Sequence, residues 1–383
     1  MPYQRHRVLL VTRNFPPLIG GMEKLMHGVY RELSREFEAA LVGPAGCEAF
    51  VHASSIVFGC PLAPNWRFLL HCQWQAYNAA KRLQPKLIMA GSGLTAPAAL
   101  WAGRKIGALV AGYLHGLDLL APNVVYQKAF LPAIRKCDIL LANSRNTAAL
   151  AVKAGIAQEK IRVLHPGVDL GEGNEFKGTE FREHIGVDEN AVLLLSVGRL
   201  TQRKGIAEFI ENAMPMLVRQ YPSLKLAIIG DEPKQGLVPS AGTKNRIQAA
   251  VSEHRLQEHI LMLGQVNDET LKQAYQSSNV HVMPVLDLAG DIEGFGMVAV
   301  EAAAQGLATV AFAVGGVPDA VGHGVSGYVV KPGDYAGMCA AIESCIDNRK
   351  EQWRTQCRGF AAGFSWEKFG DRLRGICSDA IGH

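Results

Sequence analysis

The sequence predicts an α/β protein built from two Rossmann-like domains, and three observations lead there. The chain opens with an apolar run, a Pro- and Gly-rich turn and an amphipathic helical pattern. Short apolar runs then alternate with stretches that can be helical, and this alternation restarts near residue 191. Strand and helix in alternation imply parallel sheets joined by right-handed crossovers.

The first strand is residues 8–11, ending in the turn Phe15-Pro16-Pro17-Leu18-Ile19-Gly20-Gly21. Met22, Leu25, Met26, Val29, Tyr30 and Leu33 follow at the spacing of one helix face. Further strands are expected at residues 87–90, 109–114, 139–142 and 161–164. In the second half they fall at 192–197, 224–230, 260–263, 280–283, 308–312 and 328–330. Pro215 interrupts the helical pattern of Ile206, Phe209, Ile210, Ala213, Met214 and Leu217, so a kink or an early helix end is expected there. The boundaries read as a first domain at 1–165, a polar connection at 166–190, a second domain at 191–365, and a last helix at 366–383 that returns to the first domain.

Composition narrows the class. With 383 residues, 48% hydrophobic and 19% charged, the chain can bury a core in each of two domains and is not disordered. No run of 18 uncharged apolar residues and no basic-then-apolar leader is found, so the expected location is cytoplasmic. The eight cysteines form no CxxC pair, which argues for buried, reduced thiols over a zinc ribbon or a disulfide framework. The net charge of +4 hides an asymmetry: residues 1–165 carry 19 Lys and Arg against 8 Asp and Glu, and residues 166–383 carry 20 against 27. A basic half attracts anionic lipid headgroups, phosphorylated acceptors or nucleic acid, or reflects uneven surface solvation. Recognition motifs for nucleic acid are not apparent, so no nucleic-acid partner is expected. Trp66, Phe68, Leu69, Leu70, Trp74, Tyr77 and Ala80, with Arg67, Lys81 and Arg82, can form an amphipathic helix that lies on an anionic membrane or packs into the first domain.

Two turns in the second half carry chemistry. Gly198-Arg199-Leu200-Thr201-Gln202-Arg203-Lys204-Gly205 leaves the C-terminal end of a strand and enters a helix, where open α/β sheets bind ligands. Arg199 and Lys204 can converge there on a diphosphate. Asp291-Ile292-Glu293-Gly294-Phe295-Gly296 then leads into a helix carrying Glu301, so Glu293 lies in the loop and Glu301 one to two turns inside. Carboxylates accept paired hydrogen bonds from vicinal diols, which suits Glu301 to a ribose and Glu293 to a sugar ring. No DxD run able to hold Mg²⁺ stands in the loop that leads to Glu293.

These motifs resemble the retaining glycosyltransferase family 4. Glu293 and Glu301 match its E-x7-E signature, and Arg199 and Lys204 its GR-x(4)-KG turn. The Pro-Pro-x-x-Gly-Gly loop, His115-Gly116-Leu117-Asp118, Asn143-Ser144, Pro166-Gly167-Val168-Asp169, Gly315-Gly316-Val317-Pro318-Asp319 and Pro332-Gly333-Asp334 fall in the family's order across nearly the whole chain. The resemblance implies a GT-B fold, two Rossmann-like α/β domains facing each other across a central cleft, with the acceptor bound mainly by the first and a UDP- or GDP-linked sugar mainly by the second. It implies metal-independent transfer of a hexose, with retention, to a saccharide or lipid-linked acceptor in surface polysaccharide, lipopolysaccharide or glycolipid synthesis. It further implies that Arg199 and Lys204 neutralise the leaving diphosphate, that Glu301 holds the ribose, and that Glu293 and His115 approach the donor sugar. Gly20 and Gly21 match the family's N-terminal loop, and Gly294, Phe295 and Gly296 belong to the donor loop. Two positions depart from the pattern: Asp319 stands where Glu is usual, and Gly230-Asp231-Glu232-Pro233 replaces GDGP ahead of a polar stretch at 234–245. A dinucleotide oxidoreductase is disfavoured because Gly20-Gly21 is not GxGxxG. A sugar-nucleotide epimerase and a non-catalytic subunit of a glycosyltransferase complex are the remaining alternatives.

Overall fold

The computed structural model describes residues 5–121, 123–171, 178–232, 242–347 and 350–382. Two compact units emerge, one formed by residues 1–167 with 366–383 and the other by residues 168–365.

The first unit is a seven-stranded parallel sheet. Its strands are β1 (Arg7–Val11), β2 (Glu38–Pro44), β3 (Ile56–Cys60), β4 (Leu87–Ala90), β5 (Leu109–Leu114), β6 (Ile139–Ala142) and β7 (Ile161–Val163), in the spatial order β3-β2-β1-β4-β5-β6-β7. Residues 8–11 of β1 are all buried, as a central strand covered on both faces requires. The strands β2 and β3 are not among those expected from the sequence. β2 contains Ala39-Ala40 and ends Gly43-Pro44, which are weak strand formers, and its ladder with β1 supplies what propensity does not.

The helix Trp366–Ile381 completes this unit by packing on the helix Gly21–Glu36. The Trp366 ring lies against Gly28 and Gly167, where an added Cβ would overlap it, and the Arg31 guanidinium stands 5.2 Å from the ring centroid. Glu32 is fully buried and is compensated by Arg374 at 2.7 Å and Arg35 at 3.0 Å. A buried carboxylate is tolerable only when paired in this way.

The second unit is a six-stranded parallel sheet of β8 (Leu193–Val197), β9 (Lys225–Ile229), β10 (Ile260–Gly264), β11 (Val280–Met283), β12 (Thr309–Phe312) and β13 (Gly327–Val330), ordered β10-β9-β8-β11-β12-β13. The expected interruption at Pro215 takes the form of two short helices, Ile206–Asn212 and Met214–Gln220, with Pro215 in the first turn of the second, where its missing N–H costs nothing. Part of the stretch read as a connection is built into this unit. The helix Gly178–His184 buries Phe181 in the core, and the buried Arg182 donates to the carbonyls of Ser277, Asp188 and Ala191 at 2.8–2.9 Å. Residues 172–177 of that stretch, and 233–241 of the polar stretch, lie outside the described residues. All eight cysteines are buried free thiols. Among the described residues, no helix is long and apolar enough to cross a membrane.

Candidate functional site

In an open parallel sheet, a crevice forms at the carboxyl ends of the two neighbouring strands whose connections leave in opposite directions. In the second unit those strands are β8 and β11. The turn after β8 carries Arg199, Arg203 and Lys204, and the loop after β11 carries Asp291, Glu293 and Gly294. The two loops are bound together through the main chain, since Leu286 N–H donates to the Arg203 carbonyl at 2.8 Å. Gly205 has φ +67° and approaches the Pro284 carbonyl so closely that a Cβ would overlap it. A side chain there would push the loops apart.

Their side chains form one ionic cluster. Lys204 Nζ donates to Glu293 Oε2 at 2.8 Å, and Arg203 Nη1 donates to the same oxygen. Arg203 Nε lies 2.9 Å from Asp291 Oδ1. Burial pushes the Glu293 carboxyl up, but Lys204 and Arg203 outweigh it and hold it down at about 2. Burial pulls the Lys204 ammonium below its ordinary range against the opposing pull of Glu293, while Arg203 and Arg199 add to the lowering. Lys204 is therefore a desolvated cation held in place by a carboxylate, and such a charge interacts strongly with an anion that reaches it.

Arg203 was not singled out by the sequence reading. It is 7% exposed, and its partners lie about 90 positions along the chain, so spacing within the turn carries no sign of it. Arg199, which the reading did single out, stands exposed at the same turn and makes no ion pair among the described residues.

The Gly294–Gly296 segment is positioned by glycine contacts. Gly316 N–H donates to the Glu293 carbonyl at 2.9 Å, and a Cβ on Gly316 would overlap the Gly294 carbonyl. The helix Met297–Ala304 starts immediately afterwards, with Gly296 as its N-cap at φ +98°. Phe295 is 3% exposed and packs in the hydrophobic core against Phe364, so its ring belongs to the core and only its main chain is available to a ligand. Glu301 lies in the second turn of the same helix, where its charge adds to burial in raising the Tyr275 phenol well above its ordinary range. Tyr275 meets His281 edge-on with ring centroids 6.0 Å apart. The His281 imidazole is fully buried and held neutral, its pKa pulled down to about 3 by burial first and by Lys204 second. Glu232 accepts from Lys244 N–H at 2.9 Å at the start of the helix Thr243–Glu253, and Lys244 Nζ pairs with Asp231 at 2.7 Å. That departure from the GDGP pattern thus ties a helix terminus to the turn after β9. Asp319 lies in the short helix Val317–Ala320 beside Gly316.

The corresponding crevice of the first unit lies at β1 and β4. Gly20 and Gly21 start the helix Gly21–Glu36, and a Cβ on Gly20 would overlap the Glu23 carboxylate, which also accepts from Asn14 Nδ2 at 2.8 Å. His115 follows β5, is 8% exposed and stacks on Tyr113 with centroids 5.2 Å apart. Its Nε2 lies 2.8 Å from the Gly91 carbonyl, which can only accept, so Nε2 carries a proton. Asp118 fixes the surroundings by accepting from His115 N–H at 2.8 Å and Gly93 N–H at 3.1 Å. The chosen residues therefore fall into two sets, Gly20, Gly21 and His115 in one unit, and Arg199, Lys204, Glu293–Gly296 and Glu301 in the other. Among the described residues, no cluster of three His, Cys, Asp or Glu side chains is arranged to hold a metal ion.

Comparison with known proteins gives concordant results. Residues 178–359 match the family model described as glycosyl transferases group 1, and residues 19–172 the model described as glycosyltransferase family 4. A D-inositol 3-phosphate glycosyltransferase of Catenulispora acidiphila is 31% identical over 314 residues, covering 73% of this chain and 71% of that protein. A GDP-mannose-dependent alpha-(1-6)-phosphatidylinositol monomannoside mannosyltransferase of Mycolicibacterium smegmatis is 26% identical over 389 residues, covering 97% and 98%. Several other curated relatives are matched over about half of their own length, 52–54%. Among solved structures, Anabaena HepE in complex with UDP and glucose superposes with a TM-score of 0.80 at 19% identity, covering 98% of this chain and all of that one.

Proposed function

The chain belongs to glycosyltransferase family 4 and has its two-domain GT-B fold, and from that premise we propose that it is a metal-independent, retaining hexosyltransferase that uses a nucleotide-diphosphate sugar. The observation that carries this reading is the cluster of Lys204, Arg203 and Glu293 at the β8–β11 crevice, beside the Gly-rich start of the helix bearing Glu301. The rate-limiting event in such a transfer is cleavage of the bond between the anomeric carbon and the phosphate oxygen. Negative charge then grows on the leaving diphosphate while the sugar becomes cationic. A cation already desolvated and fixed stabilises that charge most in the transition state, where it is largest. Lys204, with Arg199 at the mouth of the turn, supplies it. When Lys204 turns to phosphate, Arg203, itself held by Asp291, keeps the Glu293 carboxylate ionised and in place, free to engage the hydroxyls of the sugar. Glu301 holds the ribose diol, and the main chain of Gly294–Gly296 receives the phosphates at the helix N-terminus.

Gly20, Gly21 and His115 are the proposed binding residues of the first unit, where His115 has its Nε2 proton committed to the Gly91 carbonyl. The relatives named above act on inositol 3-phosphate or on a phosphatidylinositol mannoside, and the HepE complex holds UDP and glucose. These names, together with the basic first half, favour a UDP- or GDP-sugar donor and a phosphate-bearing or lipid-linked acceptor presented at the cytoplasmic face of a membrane.

A thermal-shift screen with UDP, GDP, ADP and CMP, each with and without EDTA, tests the reading. One nucleoside diphosphate should stabilise the protein with EDTA present and should fail to stabilise Lys204→Ala. No shift with any nucleotide would favour a non-catalytic subunit.

A further inference from the structure

The helix Asn65–Leu83 turns inside out the arrangement its composition suggests. Phe68, Cys72, Ala76, Ala79, Ala80 and Leu83 face the core, while its two tryptophans stay outside. Trp66, Leu70 and Trp74 are 62%, 63% and 59% exposed, and at i, i+4 and i+8 they form one stripe along the helix. The stripe continues onto the neighbouring helix Ala96–Ile106, where the half-exposed Trp101 meets Tyr77 with ring centroids 4.8 Å apart. Three exposed tryptophans in one patch are not the scattered apolar residues of an ordinary surface.

Charge identifies the occupant. Between residues 49 and 117, which include both helices, there are six Lys and Arg and not one Asp or Glu. Arg67, Lys81, Arg82 and Lys105 are exposed on the two helices. Tryptophan beside exposed cations is the composition of a surface that seats in the headgroup region of an anionic bilayer, the rings at the polar–apolar boundary and the cations on lipid phosphates. A second copy of the chain would set these two helices, which carry cations and no carboxylate of their own, against themselves, cation on cation. The helix also begins beside the site-bearing edge of the first unit, since Arg13, just after β1, donates to Asn65 Oδ1 at 3.5 Å.

We propose that the face formed by Trp66, Leu70, Trp74 and Trp101 with these cations is a membrane-docking surface for anionic lipid. The inference deepens the reading of a membrane-presented acceptor and rests on it. Vesicle flotation of the full chain tests it without donor or acceptor. Binding to phosphatidylcholine vesicles containing phosphatidylglycerol, with a blue shift of tryptophan emission, and no binding to phosphatidylcholine alone, is expected. Trp66→Ser/Trp74→Ser and Arg67→Glu/Lys81→Glu should each weaken it at least about tenfold with an unchanged melting temperature, and transfer to a water-soluble acceptor should persist. Absence of binding to the anionic vesicles, binding indifferent to both double variants, or a wild-type dimer that Trp66→Ser/Trp74→Ser dissociates would each overturn the proposal. Loss of soluble transfer in the wild type would count against the proposed activity instead, because flotation does not depend on turnover.

Discussion

Lys204 and Glu293 meet at 2.8 Å across two loops that leave neighbouring strands, so each is neutralised by the other until an anion arrives. Under the proposed function, diphosphate binding is an exchange of partners, in which the ammonium leaves a carboxylate that Arg203 continues to compensate.

Replacing Lys204 by Ala removes the fixed cation while Arg203 still holds Glu293. Transfer should fall at least about tenfold, roughly 1.4 kcal/mol of transition-state stabilisation, in kcat as well as kcat/KM, with the fold intact by circular dichroism. A wild-type kcat would remove Lys204 from the site.

Arg203→Ala leaves Glu293 with one partner and Asp291 with its neighbouring cation gone. Breaking a buried ion pair costs about 3 kcal/mol, so chemical denaturation should show a loss of that order. A concurrent drop in transfer that Arg203→Lys does not restore is expected, because a point charge cannot span both carboxylates. Unchanged stability would show that the cluster does not depend on Arg203.

The two carboxylates at the edges of the site should separate in assay. Glu301→Ala should cost at least about tenfold in transfer through lost donor contacts, whereas Glu232→Gly should be mild because Glu232 ties a helix terminus at the turn after β9. Initial rates over a donor titration distinguish them, and equal losses would reject the assignment.

Acid should destabilise the second unit through two groups. His281 has a folded pKa depressed to about 3, so the native state refuses a proton that the unfolded chain accepts near 6.5. Its contribution is present above pH 6.5 and is lost as pH falls toward 3. Glu293, depressed to about 2, contributes above its unfolded value and loses that contribution between about pH 4.5 and 2. Urea denaturation from pH 7 to pH 4 should show a slope approaching roughly 1.4 kcal/mol per pH unit that flattens in His281→Gln. Equal slopes in the two proteins would mean that His281 is protonated in the native state.

Much of the architecture was legible because buried parallel strands are continuous apolar runs, and all six strands of the second sheet coincide with such runs. β2 escaped because alanine, glycine and a terminal proline obscure a strand whose order comes from its neighbours, whereas β3 opens with the strong strand formers Ile56, Val57 and Phe58 and was legible but not among the expected strands. At the site, Lys204, Glu293 and Glu301 follow from local spacing, but Arg203 does not, since its role is set by a loop distant in sequence. The sequence marks Trp66, Leu70 and Trp74 as apolar residues of one helix but does not separate them from the buried Phe68 and Ala80. Apolar residues surround the helix Asn65–Leu83, and periodicity alone cannot tell which side a sheet will cover.

The helix Trp366–Ile381 has a consequence for the order in which the protein is made. A ribosome emits β1 to β7 before the partner helix of Gly21–Glu36, with the whole of residues 168–365 between them. Throughout that interval Glu32 lacks Arg374, and Gly28 and Gly167 lack the indole that fills the space above them. The second unit can therefore mature on the nascent chain before the first is closed, and the first sheet waits for residues made after the whole second unit before its surface is sealed.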